Sequence, residues 1–301
     1  MSLELSMAFD GKAGEAIVMA PNVLRVTANN PSPYTFHGTN SYIVGTNTLA
    51  VIDPGPDDPA HLSALIQAID GRPVSHIFVS HTHRDHSPLT PALKAATGAE
   101  VLAQGPHRAA RPLRDGEVNS FAESSDYAFA PDRALTDDEL VQGDGFAIRG
   151  IYTPGHCANH MAFALEGTGL LFSADHVMAF ATTVVAPPDG SMSDFMASLD
   201  RLLQRDDRLY LPGHGGNVEN PLRFVRGLKA HRKMRERAIL ERFTAGDRTI
   251  QEVVTAIYRD TDPRLHGAAA LSVYAHVEDL VARGLLQAEP DLALHAHYRP
   301  A

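Results

Sequence analysis

The spacing of hydrophobic residues along the chain changes between the two-residue period of a strand and the 3.6-residue period of a helix. Residues 16–52 form short runs of alternating apolar and polar residues, each broken by proline, glycine or asparagine, which predicts a β meander. Residues 49–52 and 76–80 are apolar runs typical of buried strands, whereas residues 59–69 place apolar side chains at helical spacing. Strand and helix patterns alternate as far as residue 103. After residue 145, strand-like runs return at 146–153, 161–165 and 169–173, followed by a helix pattern at 193–204 and a last strand at 208–211. Alternation of this kind predicts a layered α/β architecture.

One long segment shows neither the strand period nor the helix period. Residues 105–145 are polar, rich in arginine, aspartate, serine and proline, and show little periodicity. Long segments of this kind inside a domain are usually functional loops, lids or insertions. We therefore expect this segment to contribute to substrate selection.

The pattern changes at Pro221. Residues 221–243 predict a long helix, a capping box at Thr249 opens a second helix, and residues 265–283 predict a third. Two short runs, 285–288 and 293–296, then predict a hairpin. Three helices followed by a small wing form a winged-helix-like order. The sequence thus predicts a large layered domain over residues 1–220, and a helical linker with a small winged-helix-like domain over residues 221–301.

The composition is that of an ordinary soluble globular protein. The 301 residues are 44% hydrophobic and 21% charged, and no apolar run approaches the roughly 20 residues that span a bilayer. Residues 1–14 lack the pattern of a signal peptide, and Cys157 is the only cysteine, which fits a reducing compartment. We expect a cytoplasmic protein without a membrane partner.

Charge is unevenly distributed between the two predicted domains. Residues 1–220 contain 13 Lys+Arg and 26 Asp+Glu, whereas residues 221–301 contain 13 and 10. The net charges are therefore −13 and +3, which suggests two units with different partners.

Potential metal ligands are densest directly after the predicted strand 76–80. Residues 81–86 read His-Thr-His-Arg-Asp-His, with three imidazoles and a carboxylate within six positions. Borderline-soft divalent metals such as zinc prefer these ligands. There are too many for one tetrahedral ion that also holds water, so the spacing indicates two adjacent metals.

Three more residues of ligand type follow predicted strands. They are His156, Asp175 and His214. Loops at strand ends on one edge of a sheet converge in space, and the neighbouring glycines let the backbone approach a metal closely.

These motifs, which run in order over residues 39–216, resemble those of the metallo-β-lactamase superfamily. The resemblance implies an α/β fold: an αββα sandwich with a dinuclear site on one edge, here followed by the small winged-helix-like α+β domain. It implies a first metal held by His81, His83 and His156, and a second metal held by Asp85, His86 and His214, with Asp175 bridging both. We expect two divalent cations, zinc before iron or manganese.

The closer resemblance is to the beta-lactamase-like branch with a C-terminal winged-helix-like extension. It rests on residues 39–42, residues 181–184 and the segment from His231 onward. That branch includes an endoribonuclease acting on single-stranded RNA. Asp175 stands where class B1 and B2 β-lactamases use a cysteine, and the His214 loop has no obvious lysine, so antibiotic hydrolysis is disfavoured. His83 replaces the glutamate of oxygen-reducing diiron flavoproteins.

The implied chemistry is hydrolysis by a metal-bound hydroxide, with Asp85 as the catalytic residue that orients it. The leading hypothesis is a phosphodiesterase acting on single-stranded RNA. One alternative is a hydrolase of a small-molecule thioester, lactone or amide, which would have a narrow apolar pocket instead of an open basic groove. Another is a persulfide-type dioxygenase with one iron on His81, His156 and Asp175. A non-enzymatic nucleic-acid-binding module is the fourth.

Other candidate residues have competing interpretations. His160 either supports a ligand or is simply buried, and His107 is uncertain. Asp53 is either a brace for a ligand histidine, as the superfamily's Asp-x-Gly motif implies, or a turn residue. Cys157 is expected to fill a buried space. The histidines expected to be structural or solvated are His37, His61, His76, His176, His231, His266, His276, His295 and His297.

A basic stripe is predicted along helix 221–243. Its three-to-four-residue spacing is typical of one helix face, which either guides a phosphate backbone or is merely solvated. The stripe consists of Arg223, Arg226, Lys229, Arg232 or Lys233, and Arg237.

Overall fold

The computed structural model describes residues 3–259, 262 and 265–301. Its strands are β1 (Ala16–Ala20), β2 (Val23–Thr27), β3 (Asn40–Gly45), β4 (Leu49–Ile52), β5 (Val74–Val79), β6 (Glu100–Ala103), β7 (Arg133–Ala134), β8 (Leu140–Gly143), β9 (Phe146–Tyr152), β10 (Met161–Leu165), β11 (Leu170–Ala174), β12 (Leu209–Pro212), β13 (Leu286–Glu289) and β14 (His297–Pro300). Its helices are α1 (Pro59–Ile69), α2 (Thr90–Thr97), α3 (Met192–Leu202), α4 (Pro221–Thr244), α5 (Ile250–Ile257) and α6 (His266–Ala282).

Two sheets form the centre of the large domain. The first has the order β1-β2-β3-β4-β5-β6-β7; it is antiparallel from β1 to β4 and parallel from β4 to β7. The second has the order β12-β11-β10-β9-β8, in which only the β11–β12 pair is parallel. The predicted β meander at 16–52 is thus confirmed as strands β1 to β4.

The hydrophobic core consists of three layers. Side chains such as Phe78 and Phe163 meet between the sheets, with their ring centroids 5.2 Å apart. Helices α1 and α2 cover the outer face of the first sheet through residues such as Leu65, and α3 and α4 cover the second through residues such as Phe195. Central strands such as β4, β10 and β11 are buried on both faces, which explains why they are mostly apolar runs. The predicted αββα sandwich is confirmed.

Local sequence signals set the helix ends. Asp58 caps α1 by accepting a hydrogen bond from the backbone N–H of Ala60, and Pro59 occupies the first turn, where its missing N–H has no cost. The predicted capping box at Thr249 is present, since its hydroxyl accepts from the Glu252 N–H while the Glu252 carboxylate accepts from the Thr249 N–H.

The C-terminal helices and hairpin pack around their own core, which includes Phe243, Val253 and Tyr298. The second strand of the predicted hairpin was wrong, because β14 lies at His297–Pro300 and not at 293–296. Tyr298 accounts for the shift: it is buried, and its hydroxyl donates to the carbonyl of Ala293, so that residues 293–296 lie in the connecting loop.

The segment 105–145 is only partly irregular. It contains a short 3₁₀ helix at Ala122–Ser124 and strands β7 and β8, which the polar sequence did not reveal. Its earlier part contacts the C-terminal domain, because Arg111 donates from Nε to the Glu278 carboxylate of α6 at 2.9 Å and Arg114 also pairs with Glu278. None of the helices in the described ranges is both long and apolar enough to cross a membrane.

Candidate metal centre

The candidate ligands lie at the carboxyl ends of four strands. Residues 81–86 follow β5, His156 follows β9, Asp175 follows β11 directly and His214 follows β12. The His214 loop is held against the first sheet by Asn40, whose side-chain N–H groups donate to the carbonyls of Pro212 and Gly215 at 3.1 and 3.0 Å. Both sheets therefore contribute ligands to one edge of the sandwich.

Three imidazoles form a first group. His83 Nδ1 lies 3.0 Å from Nε2 of His81 and 3.0 Å from Nε2 of His156. In a tetrahedral site with Zn–N bonds of about 2.0–2.1 Å, two ligand nitrogens lie roughly 3.3 Å apart. The three ring nitrogens thus have the spacing of ligands around one small cation.

A second group joins two imidazoles to a carboxylate. His214 Nε2 lies 3.3 Å from His86 Nε2 and 3.2 Å from Asp85 Oδ2. Asp175 lies between the two groups: its Oδ1 is 3.4 Å from His86 Nε2, and its Oδ2 is 3.7 Å from His156 Nε2. Asp175 Oδ1 is buried without a hydrogen-bond partner within the described part of the chain, which suits a cation-binding oxygen.

Hydrogen bonds on the outer ring nitrogens fix the orientation of these imidazoles. His156 Nδ1 donates to the Val184 carbonyl at 2.7 Å, and His214 Nδ1 donates to the Gly38 carbonyl at 3.2 Å. A donor at Nδ1 leaves the Nε2 lone pair directed inward, which is how metal-binding histidines are usually held. The two carbonyl acceptors were not identified from the sequence.

Asp53 braces the cluster, as the Asp-x-Gly motif implied. Its Oδ2 accepts from His86 Nδ1 at 3.0 Å and from the Ser80 hydroxyl at 2.7 Å, while its Oδ1 accepts from the Ser80 backbone N–H. The Ser80 hydroxyl oxygen in turn lies 3.0 Å from His81 Nδ1. A single buried carboxylate therefore orients one imidazole from each group.

The two groups differ in their electrostatics. Burial, with His156 next to it, lowers the pKa of His83 to about 3, so the first group consists of neutral imidazoles. Burial also opposes a proton on His214, but Asp175 and Asp85 outweigh it and raise the pKa of His214 to about 9. The second group therefore attracts positive charge, which a divalent cation would supply.

A cavity of about 450 Å³ opens over the cluster, and we call it the metal cavity. His83, Asp85, His156, Asp175 and His214 face it. Its other walls include Tyr34, Phe121, Met178 and Val184. Phe121 comes from the segment 105–145, whereas no sequence signal identified Tyr34 or Met178.

Other candidate residues lie away from this cavity. His160 is buried behind the cluster, where its ring centroid is 5.2 Å from that of His81 and its Nδ1 is 2.9 Å from the Thr153 hydroxyl. His176 packs against Phe195, with the two ring centroids 4.4 Å apart. His107 pairs with the Thr82 hydroxyl at 2.9 Å. Cys157 is fully buried, which raises the pKa of its thiol and fits the expected filling role.

The predicted basic stripe does not form one solvated face. Arg223 pairs with Glu4 at 3.1 Å and Lys229 pairs with Asp200. Arg232 is only 4% exposed and donates to the carbonyl of Thr183, close to the metal centre. Tertiary packing thus pairs part of the stripe with residues of the large domain. The cations that stay exposed besides Arg223 are Arg226, Lys233 and Arg237.

A two-sheet sandwich with clustered histidines and aspartates at one edge defines a metallo-β-lactamase-type protein. The family model described as the metallo-beta-lactamase superfamily matches residues 34–214, which is more than half of the chain. A second model, the beta-lactamase associated winged helix domain, matches residues 249–293. The chain belongs to the metallo-β-lactamase superfamily and carries this C-terminal winged helix domain.

Relatives of known name are similar over most of their length. The chain is 29% identical over 284 residues to the beta-lactamase-like protein 2 homolog of Drosophila melanogaster, covering 89% of this chain and 91% of the relative. It is 29% identical over 262 residues to the atrochrysone carboxyl ACP thioesterase of Aspergillus fumigatus, covering 81% of this chain and 76% of the relative.

Solved structures share the whole fold. A beta-lactamase domain protein from Burkholderia ambifaria has a TM-score of 0.80 at 20% identity and covers 99% of this chain and 97% of its own. A metallo-beta-lactamase family protein from Thermus thermophilus has a TM-score of 0.73 at 23% identity, and the match covers 94% of this chain and 100% of that protein's chain. At these identities the likeness concerns the fold alone.

Proposed function

We propose that this protein is a metal-dependent hydrolase of small acyl thioesters. The carrying observation is the metal cavity, whose walls beside the candidate ligands include Tyr34, Phe121, Met178 and Val184. A cavity of about 450 Å³ with apolar side chains among its walls suits an acyl chain, whereas single-stranded RNA requires an open basic groove. Two relatives carry the name atrochrysone carboxyl ACP thioesterase, which supports the same class of substrate.

In this proposal seven residues hold two divalent cations. His81, His83 and His156 take the first cation, Asp85, His86 and His214 take the second, and Asp175 contacts both. Bound there, the cations would supply an activated water and polarise the substrate carbonyl. Asp85 acts as the catalytic residue by accepting a hydrogen bond from the attacking water and so orienting it. Zinc fits this donor set, and iron or manganese fit as well.

The choice of thioester follows from the leaving group. Among the described residues that line the metal cavity, no histidine, lysine or cysteine remains beyond the candidate ligands. An amine leaving group needs a proton donor, whereas a thiol with a pKa of about 8.5 departs readily as the thiolate. The remaining acidic side chains that line the cavity are Tyr34 and Glu123, and a thioester, unlike an amide, needs neither of them as a proton donor.

The domain division is part of the proposal. We assign residues 1–220 to the catalytic domain and residues 221–301 to the helical linker and winged-helix-like domain. The two family matches fall on either side of this boundary, and α4 begins at Pro221. RNA cleavage and the single-iron dioxygenase stay predictions that the following assay separates from thioester hydrolysis.

The test is an activity panel on protein loaded with zinc, iron or manganese. We expect thiol release from a short acyl thioester, with little turnover of the matched amide or of a single-stranded RNA. An Asp85→Asn variant should lose at least about 100-fold in kcat, the usual size of such a contribution. Arg237→Gln, exposed on α4, is the matched control. RNA cleavage without thioesterase activity, or oxygen consumption with a persulfide substrate, would refute the proposal.

A further inference from the structure

A second cavity adjoins the metal cavity on the side of the C-terminal helices. It has a volume of about 450 Å³ and is lined by residues 182–184, by His231, Arg232 and Arg235 of α4, and by Tyr258 after α5. We call it the cationic cavity. Tyr34, Met178 and Val184 line both cavities, so a ligand could extend from one into the other.

Within the described part of the chain, no carboxylate pairs with the arginines of this cavity. Arg232 is 4% exposed, its Nε has no hydrogen-bond partner, and its guanidinium lies 5.1 Å from the Phe195 ring centroid. Arg235 Nε is likewise buried without a partner, and its guanidinium lies 4.3 Å from the Tyr258 ring centroid. Within residues 3–259, 262 and 265–301, neither arginine forms an ion pair with a carboxylate.

The other arginine that is buried among the described residues has a counter-charge. Arg25 is 1% exposed and pairs with Asp10 at 2.8 Å, and the half-buried Arg205 forms a bidentate pair with Asp207 at 2.7 and 2.8 Å. Burying a cation without a counter-charge is costly, and here burial lowers the pKa of Arg232 to about 10. A cost that the fold avoids at other arginines indicates that an external anion supplies the missing charge.

Thr183 and Val184, which lie between the two cavities, are hydrogen-bonded both to Arg232 and to the metal centre. The Thr183 carbonyl accepts from Arg232, and the Thr183 hydroxyl donates to the backbone carbonyl of Asp175 at 2.6 Å. The neighbouring Val184 carbonyl accepts from His156. An anion bound at Arg232 and Arg235 would therefore lie at a set position relative to the metal centre.

We propose that the cationic cavity binds the phosphate of a phosphopantetheine-type thioester, an inference that rests on the proposed thioesterase function. Guanidinium groups match phosphate geometry with paired N–H donors, and the aromatic faces beside them hold these groups in place. In such substrates the phosphate is remote from the thioester, so its binding energy can position the reacting carbonyl. Coenzyme A and a carrier-protein prosthetic group present the same chemistry.

The experiment compares one acyl group on four carriers: pantetheine, 4′-phosphopantetheine, coenzyme A and a carrier protein. Arg235→Gln should lower kcat/KM for the phosphorylated carriers by roughly 10- to 100-fold, the usual effect of a charge-assisted contact. Acyl-pantetheine should change by less than about twofold. Arg237→Gln, exposed on the same helix, is the control. His231→Gln is a second variant that leaves the Arg232–Thr183 contact intact.

A binding measurement gives a readout independent of turnover. Calorimetry on metal-free protein should show 4′-phosphopantothenate binding more tightly than pantothenate, with the difference lost in Arg235→Gln. If the wild-type protein hydrolyses none of the four thioesters, the thioesterase proposal itself fails. If it hydrolyses them but Arg235→Gln affects all carriers equally, only the phosphate subsite fails. Loss of RNA cleavage in Arg235→Gln, with thioester hydrolysis unchanged, would assign the cavity to an RNA backbone and overturn this inference.

Discussion

His86 donates a hydrogen bond from Nδ1 to the buried Oδ2 of Asp53 at 3.0 Å. This contact joins the strand end after β4 to the candidate metal centre after β5. Because Asp53 also accepts from Ser80, which contacts His81, the same carboxylate orients imidazoles of both groups. The geometry of the centre therefore depends on a residue that faces no cation.

We expect Asp53→Asn to weaken metal binding by roughly 10- to 100-fold, as loss of such outer contacts usually does. An amide cannot accept from both His86 and Ser80 with the strength of a carboxylate. Competition with a chromogenic chelator measures the affinity, and Asp57→Asn, an exposed neighbour, is the control. Unchanged affinity in both variants would show that Asp53 is only a turn residue.

Metal stoichiometry separates a dinuclear from a mononuclear site. We expect about two divalent cations per wild-type chain and about one in His214→Ala, because His81, His83 and His156 do not depend on His214. Elemental analysis with protein quantification makes the measurement, and His295→Ala is the control. One iron per chain in both the wild type and His214→Ala would favour the dioxygenase alternative instead.

Gly155, directly before His156, lies close against the backbone of Phe195. Its φ is +135°, and a Cβ there would lie 2.3 Å from the Phe195 Cα, a backbone contact that cannot yield easily. We expect Gly155→Ala to lower the free energy of unfolding by about 3 kcal/mol through strain and overlap. Gly98→Ala, at φ +72° with open space around it, should cost only about 1 kcal/mol. Urea denaturation compares the two, and equal losses would contradict this explanation.

We expect His276 to make the protein sensitive to acid. Burial, with Arg232 next to it, lowers its pKa to about 3, and neither ring nitrogen has a hydrogen-bond partner in the described chain. The unfolded state therefore binds a proton below about pH 6.5 that the folded state does not, so stability falls as the pH drops from about 6.5 toward 3.

The His276 contribution amounts to about 2 kcal/mol at pH 5. We expect His276→Leu to reduce the stability lost between pH 7 and pH 5 by up to this amount, measured by urea denaturation at both values. His297→Leu, at an exposed position, should leave the pH dependence unchanged. The same pH dependence in wild type and His276→Leu would show that the imidazole binds its proton equally well in the folded and unfolded states.

Much of the fold was predictable because the hydrophobic residues of its strands and helices have a regular spacing. The helix beginning at Pro59, the capping box at Thr249 and the strands next to the ligand loops all carry local signals. Strand β14 was misplaced because residues 293–296 and 297–300 are both short mixed runs, and only the pairing of 297–300 with β13 distinguishes them. Strands β7 and β8 were missed because polar edge strands have little apolar alternation.

The sequence by itself determined the family and the set of candidate ligands, because imidazoles and carboxylates at strand ends are visible as residue types. Only the tertiary structure decided what orients and surrounds them. The Gly38 carbonyl at His214 and the Val184 carbonyl at His156 leave no trace in residue type, since every residue has a carbonyl. The same holds for Arg232, which has helical spacing like its exposed neighbours and becomes a buried, unpaired cation only when α4 packs against residues 182–184.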